Sequence, residues 1–197
     1  VGDPIIEGLY HRGKKPPAVL VVPPFPASGS MEPPMVAEMG WALARAGCAP
    51  LRFNWRGVGA SGGDFDTSAL VHDLEGAREQ LVTSAFTNAP NLIPAAVAFG
   101  EGAHVLAARR EDFGTVVLVQ PPADTAPAPS AKKTRVMAAA EDADKAGAAR
   151  QVAEGWGAEL VLIDDADARF HRHLPQLGAE VVRTFRPRER RAYTEDD

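Results

Sequence analysis

The residue types best suited to chemistry crowd into one loop. Gly57-Val58-Gly59-Ala60-Ser61-Gly62 matches G-x-G-x-x-G, the pattern in which backbone amides approach a pyrophosphate at the start of a helix. The helix should open within the glycine run, yet Gly63-Asp64-Phe65-Asp66 intervene, and an anionic pair there repels a pyrophosphate. The acid that would hold a ribose should close the next strand, where Glu101 is the nearest carboxylate. Gly59-Ala60-Ser61-Gly62-Gly63 in turn matches G-x-S-x-G, the elbow that exposes a nucleophilic serine at an abrupt strand-to-helix turn. Ser61 instead lies inside a glycine-rich loop, well past the strand end. The simpler reading is a tight turn whose glycines supply positive φ. His171-x-His173 is too few ligands for a closed zinc site, and His11, His72 and His104 add no metal-ligand spacing.

The elements that would position these residues follow from hydrophobic period. Short β-branched runs alternate with helix-period segments, the pattern of parallel strands joined by crossover helices. Strands are expected at Ala18 to Val22, Ala49 to Asn54, Ile93 to Phe99, Thr115 to Gln120, Thr134 to Ala139 and Glu159 to Ile163. A helix carrying Met35, Met39, Leu43 and Ala46 starts at Pro33-Pro34 and stops at Gly47. A second, capped by Thr67 or Ser68, carries Leu70, Leu74, Ala77 and Leu81. Gly102 to Arg109, Ala146 to Trp156 and Leu174 to Phe185 complete the helices. Pro121 to Lys133 holds four prolines and reads as a surface loop inside the domain. The reading is one domain over residues 1–185 with a charged tail, 186–197, that frays.

Composition removes several classes. The 197 residues carry 45% hydrophobic and 24% charged side chains, ordinary for a globular chain able to build a core without staples. Net charge is −5, which disfavours nucleic acid and anionic lipid. No apolar run approaches the ~20 residues of a membrane span, and the first residues show no basic segment followed by an apolar run. The lone Cys48 excludes an intrachain disulfide framework and fits a reducing compartment, so a cytoplasmic location is expected.

Leu51-Arg52-Phe53-Asn54-Trp55-Arg56-Gly57-Val58-Gly59-Ala60-Ser61, followed by Gly63-Asp64-Phe65-Asp66, is far more specific than either short pattern. It resembles the small, capless bacterial α/β-hydrolases, whose corresponding stretch reads R-F-N-[FW]-R-G-V-G-x-S and then G-x-F-D. Val22-Pro23-Pro24-Phe25-Pro26 stands where that family has an H-P-H-P turn, with both histidines replaced. Gln120-Pro121-Pro122 stands at its Pro-Pro pair, and Ala166-Asp167-Ala168-Arg169-Phe170 at its A-D-H-F-F run. The implied fold is α/β: a mostly parallel twisted sheet with helices on both faces and no cap. The interval from Gly100 to Asp142 holds one helix, one strand and the proline-rich connection, too little for a lid.

The resemblance also implies where a triad would sit, and there the chain departs from it. The nucleophile elbow is Ala98-Phe99-Gly100-Glu101-Gly102, so its apex is Gly100 and carries no hydroxyl. Asp142 matches the acid, whereas the base position is Ala168. Phe25 and Glu101 occupy the positions whose amides would form an oxyanion hole. With nucleophile and base gone, Asp142 reads more simply as a loop carboxylate or helix cap, and Arg52, Asn54 and Arg56 as architecture, with Asp64 and Asp66 as candidate partners. The leading expectation is a non-catalytic hydrolase homologue with no cofactor and no metal. It would work on a small molecule or protein partner, a homo-oligomer included. The alternative is an ester or thioester hydrolase with relocated residues, Ser28 or Ser30 with His171; a weaker one is nucleotide binding by the Gly57 to Gly62 loop. His171 itself is expected to start the last helix and face solvent.

Overall fold

The computed structural model describes residues 4–14, 16–85, 92–128 and 133–185. Strands β1 (Gly8–Tyr10), β2 (Ala18–Val22), β3 (Ala49–Phe53), β4 (Ala95–Phe99), β5 (Val116–Val119), β6 (Thr134–Ala139) and β7 (Glu159–Ile163) form one sheet in the order β1-β3-β2-β4-β5-β6-β7. All neighbours run parallel except β1, which pairs antiparallel with β3, Leu9 opposite Arg52. A parallel strand buried on both faces needs a continuous apolar run rather than alternation, and Ala18–Val22 is fully buried.

Helices α1 (Pro34–Arg45), α2 (Leu70–Ser84), α3 (Gly102–Ala107), α4 (Ala143–Trp156) and α5 (Leu174–Phe185) connect the strands. Alternate strand residues feed two cores. Leu20, Val22, Ala98 and Leu118 pack with Leu74, Leu81, Leu106 and Val152 of α2, α3 and α4. Val19, Val21, Val97 and Val119 pack with Met39 and Leu43 of α1 and with Leu177 and Val181 of α5. The sheet is therefore sandwiched, which leaves the carboxyl ends of the parallel strands as the edge where loops gather.

Some expected boundaries shift for local reasons. β4 begins at Ala95 rather than Ile93, since Pro94 has no N–H to give the ladder. Thr115 and Gln120 fall outside β5, and α3 stops at Ala107 instead of Arg109. α4 starts at Ala143, earlier than Ala146, because the Asp142 carboxylate accepts from Lys145 N. The cap ahead of α2 is neither Thr67 nor Ser68 but Asp66, whose Oδ1 accepts from the Ser68 amide and opens a 3-10 turn, Thr67–Ala69. β1 had no counterpart in the sequence reading. The expected tail, 186–197, lies outside the described residues, as do residues 129–132 of the proline-rich loop.

Candidate functional site

The loop after β3 is a structural knot. Gly57, Gly59 and Gly63 have φ of 69°, 59° and 77°, which suits glycine alone among unstrained residues. The amides of Gly57, Val58, Ala60, Ser61 and Gly62 bond to Gly62 O, Trp55 O, the Glu7 carboxylate, Val58 O and Ile5 O. These bonds occupy five amides of the run, and no helix opens within it, unlike the arrangement that receives a pyrophosphate. Ser61 is buried, donates to Asn54 O at 3.1 Å and accepts from Glu7 N at 2.9 Å. The Glu7 carboxylate, bonded by the Ala60 amide and then by Asn54 Nδ2, is held below its ordinary pKa.

The strongest contacts of Arg56 are made with neither Asp64 nor Asp66 but with a residue further along the chain. Its fork closes on Asp73 of α2, with Nη2 2.6 Å from Oδ1. Asp66 is held low chiefly by the Ser68 hydroxyl and amide, with the Arg56 charge a smaller contribution. Asn54 Oδ1 accepts from Met31 N at 2.9 Å, and Trp55 Nε1 donates to Pro24 O at 3.0 Å. The R-F-N-W-R run thus ties the loop after β2 to the loop after β3.

The three positions singled out by resemblance follow β4, β6 and β7, which are parallel, and so share the carboxyl edge. Gly100 turns the chain from β4 into α3 with φ 54°, its amide bonded to Val119 O at 2.9 Å. A Cβ built there would lie 3.4 Å from Pro24 Cβ, so shape alone does not bar a side chain. Asp142 and Ala168 line one shallow cleft together with Glu141, Asp144 and Asp167. Asp142 Oδ1 is engaged by Lys145 N at 2.9 Å, as a helix cap.

The relocated candidates are partly brought together. Ser28 and His171 line a cleft of about 380 Å³ with Pro33, Pro34, Met35 and Leu174, but no hydrogen bond joins them among the described residues. The Ser28 hydroxyl bonds Glu101 Oε1 at 2.7 Å and so links the loop after β2 to the elbow. Phe25, just before the short 3-10 turn at Pro26–Ser28, packs edge-on against Phe65 at 5.7 Å. Ser30 Oγ accepts from Glu32 N at 3.2 Å within its own turn. The His171 ring is 64% exposed, and its Nδ1 lies 3.0 Å from Asp167 Oδ2. That bond and the His171 amide hold Asp167 below the ordinary carboxylate range. Asp167 was missing from the sequence-based candidates, although its spacing of four from His171 was a signal. Among the described residues no three His, Cys, Asp or Glu side chains are grouped to hold a metal, and no helix is long and apolar enough to cross a membrane.

No protein-family profile matches the chain, and no curated protein matches its sequence. Solved structures do match, over nearly its whole length. An α/β serine hydrolase without a lid from Xanthomonas campestris is 24% identical with a TM-score of 0.75, covering 93% of this chain and 91% of that one. An α/β serine hydrolase homologue from Coxiella burnetii is 20% identical with a TM-score of 0.75, covering 93% and 97%. Dienelactone hydrolase from Anabaena variabilis is 18% identical with a TM-score of 0.68, covering 91% and 92%. With its strand order, its crossovers and these neighbours together, the chain has the α/β-hydrolase fold without a cap.

Proposed function

We propose that this chain is a hydrolase-fold protein that works by binding or assembly rather than by triad chemistry. The observation that carries the reading is the apex of the elbow. The backbone there makes the strand-to-helix turn that would present a nucleophile, and the residue is Gly100. Ala168, at the base position, has no group to take a proton, and Asp142 is engaged as a helix cap. A carboxylate without an imidazole to orient does not assemble a nucleophile. The test is labelling of the full chain with a fluorophosphonate serine probe beside turnover of p-nitrophenyl acetate. Neither should rise above a heat-denatured control.

A second reading, relocated hydrolysis, is favoured by one observation: Ser28 and His171 share a cleft, and Asp167 orients the His171 ring. Against it, Ser28 gives its hydroxyl to Glu101. Probe labelling that disappears in both Ser28→Ala and His171→Ala would establish this second reading and remove the first.

A further inference from the structure

Among the described residues no carboxylate is paired with Arg52. This arginine is only 8% exposed, and its Nη1 donates to Met31 O at 2.8 Å. Nε is buried with no hydrogen-bond partner, and among the described residues no carboxylate lies within ion-pair distance. Arg56, by contrast, pairs with Asp73, and Arg135 with Glu159 and Glu180, while the buried Arg110 bonds Phe113 O, Lys133 O and the Thr134 hydroxyl. A guanidinium stays protonated, and a charge removed from water without an anionic partner is strongly unfavourable. The fold nevertheless makes room for it. A Cβ at Gly40 of α1 would fall 2.9 Å from Arg52 Cδ, so this glycine lets the arginine stem pass.

Arg52 opens onto a pocket of about 280 Å³ between β1 and α1, lined by Leu9, His11, Ala37 and Trp41. None of these is acidic. Trp41 is 57% exposed and Leu9 40%, whereas Trp55 and Trp156 are buried. The Arg45 guanidinium lies 5.1 Å from the centroid of the Trp41 ring and 3.8 Å from Glu38 Oε1, so its charge is already paired beside the pocket. A cation at the base with an apolar, aromatic wall matches a ligand with an anionic head and a flat apolar body.

We propose that this pocket binds a small monocarboxylate bearing an aromatic or flat apolar group. The carboxylate would accept from the Arg52 guanidinium, and the body would lie against Trp41 and Leu9. The volume sits at or just below the range of about 300–1,000 Å³ usual for small-molecule sites, so one ring with a short arm is the fitting size. A doubly charged phosphate would want more donors than one partly used guanidinium offers. Gly100, Asp142 and Ala168 do not line this pocket, so the proposal goes beyond the function argued above and does not depend on whether the chain hydrolyses esters.

The test is titration of the full chain with phenylacetate, followed by calorimetry and by tryptophan fluorescence, for which Trp41 is the exposed reporter. Saturable binding is expected with a Kd of about 1 mM or tighter. The neutral isostere phenylacetamide should bind at least about tenfold more weakly, since it forfeits the charge-assisted bond. Inorganic phosphate should not compete. Arg52→Gln should weaken phenylacetate roughly tenfold. Because that side chain is buried, Trp41→Ala provides a second variant that removes an exposed ring, keeps the fold and should weaken binding by about fivefold. No saturable signal up to about 20 mM, equal affinity for the amide, competition by phosphate, or unchanged binding in Trp41→Ala would each overturn the proposal.

Discussion

Arg56 and Asp73 lock the loop after β3 onto α2 through three donor groups on one carboxylate. Arg56 Nη2 and Nε lie 2.6 and 3.0 Å from Oδ1, and the Arg56 backbone N–H donates to Oδ2 at 3.0 Å. The Asp73 side chain is 2% exposed, so losing the guanidinium leaves an enclosed carboxylate without this counter-charge.

Arg56→Ala should therefore destabilise by about 3 kcal/mol, because it strands a buried carboxylate. For a chain of this length that is a fall of roughly 6–12 °C in thermal midpoint. Differential scanning calorimetry would check it. A midpoint within about 1 °C of the parent would mean that the pair is not structural.

Acidification should weaken the fold in a specific window. Glu7, Asp66, Glu159 and Asp167 are each held below their ordinary values, by the Ala60 amide, the Ser68 hydroxyl, the Arg135 guanidinium and the His171 ring respectively. A carboxyl group whose folded pKa is depressed adds stability that is fully present above its unfolded value and is lost as pH falls through the folded one. The unfolded values lie at about 3.9 for Asp and 4.3 for Glu. These four groups should thus leave the midpoint unaffected above about pH 5 and lower it progressively below about pH 4. Glu7→Gln should flatten part of that decline; a decline of identical depth in the variant would remove Glu7 from the account.

On the proposed reading, triad chemistry should arise only when two residues are introduced together. Gly100→Ser alone leaves an unactivated hydroxyl, and Ala168→His alone has no proton to take. The Gly100→Ser, Ala168→His double variant is expected to be the first to hydrolyse p-nitrophenyl acetate, provided Asp142 leaves its cap at Lys145 N to orient the new ring. Loss of one triad member ordinarily lowers turnover by about 10⁴-fold or more and the losses are not additive, so neither single variant should exceed background. Equal activity in Gly100→Ser alone would place a base elsewhere, with His171 the first candidate.

The sheet was legible because parallel strands announce themselves as continuous apolar runs, and Thr134–Ala139 and Glu159–Ile163 match the expected bounds. β1 was not legible: Gly8-Leu9-Tyr10 is short, partly exposed and paired only at the edge. The Asp73 partner of Arg56 was not anticipated, for a related reason. Asp64 and Asp66 are close along the chain, but Asp73 is brought in by the packing of α2, a tertiary effect that local spacing does not encode. The Asp66 cap was missed because Thr67 and Ser68 are also good caps, and the choice rests on which side chain adopts the extended backbone, here Asp66 with φ −140°.

The φ of 54° at Gly100 has an implication for how the chain could change. Glycine adopts that conformation freely, whereas another L-residue is destabilised there by about 1 kcal/mol or more. A side chain held on such a turn keeps tension in the backbone, and glycine at residue 100 carries none. Thermal robustness and a reactive side chain consequently pull on residue 100 in opposite directions. Placing a nucleophile at residue 100 starts with a loss of stability, and only a background with stability in reserve would tolerate that step.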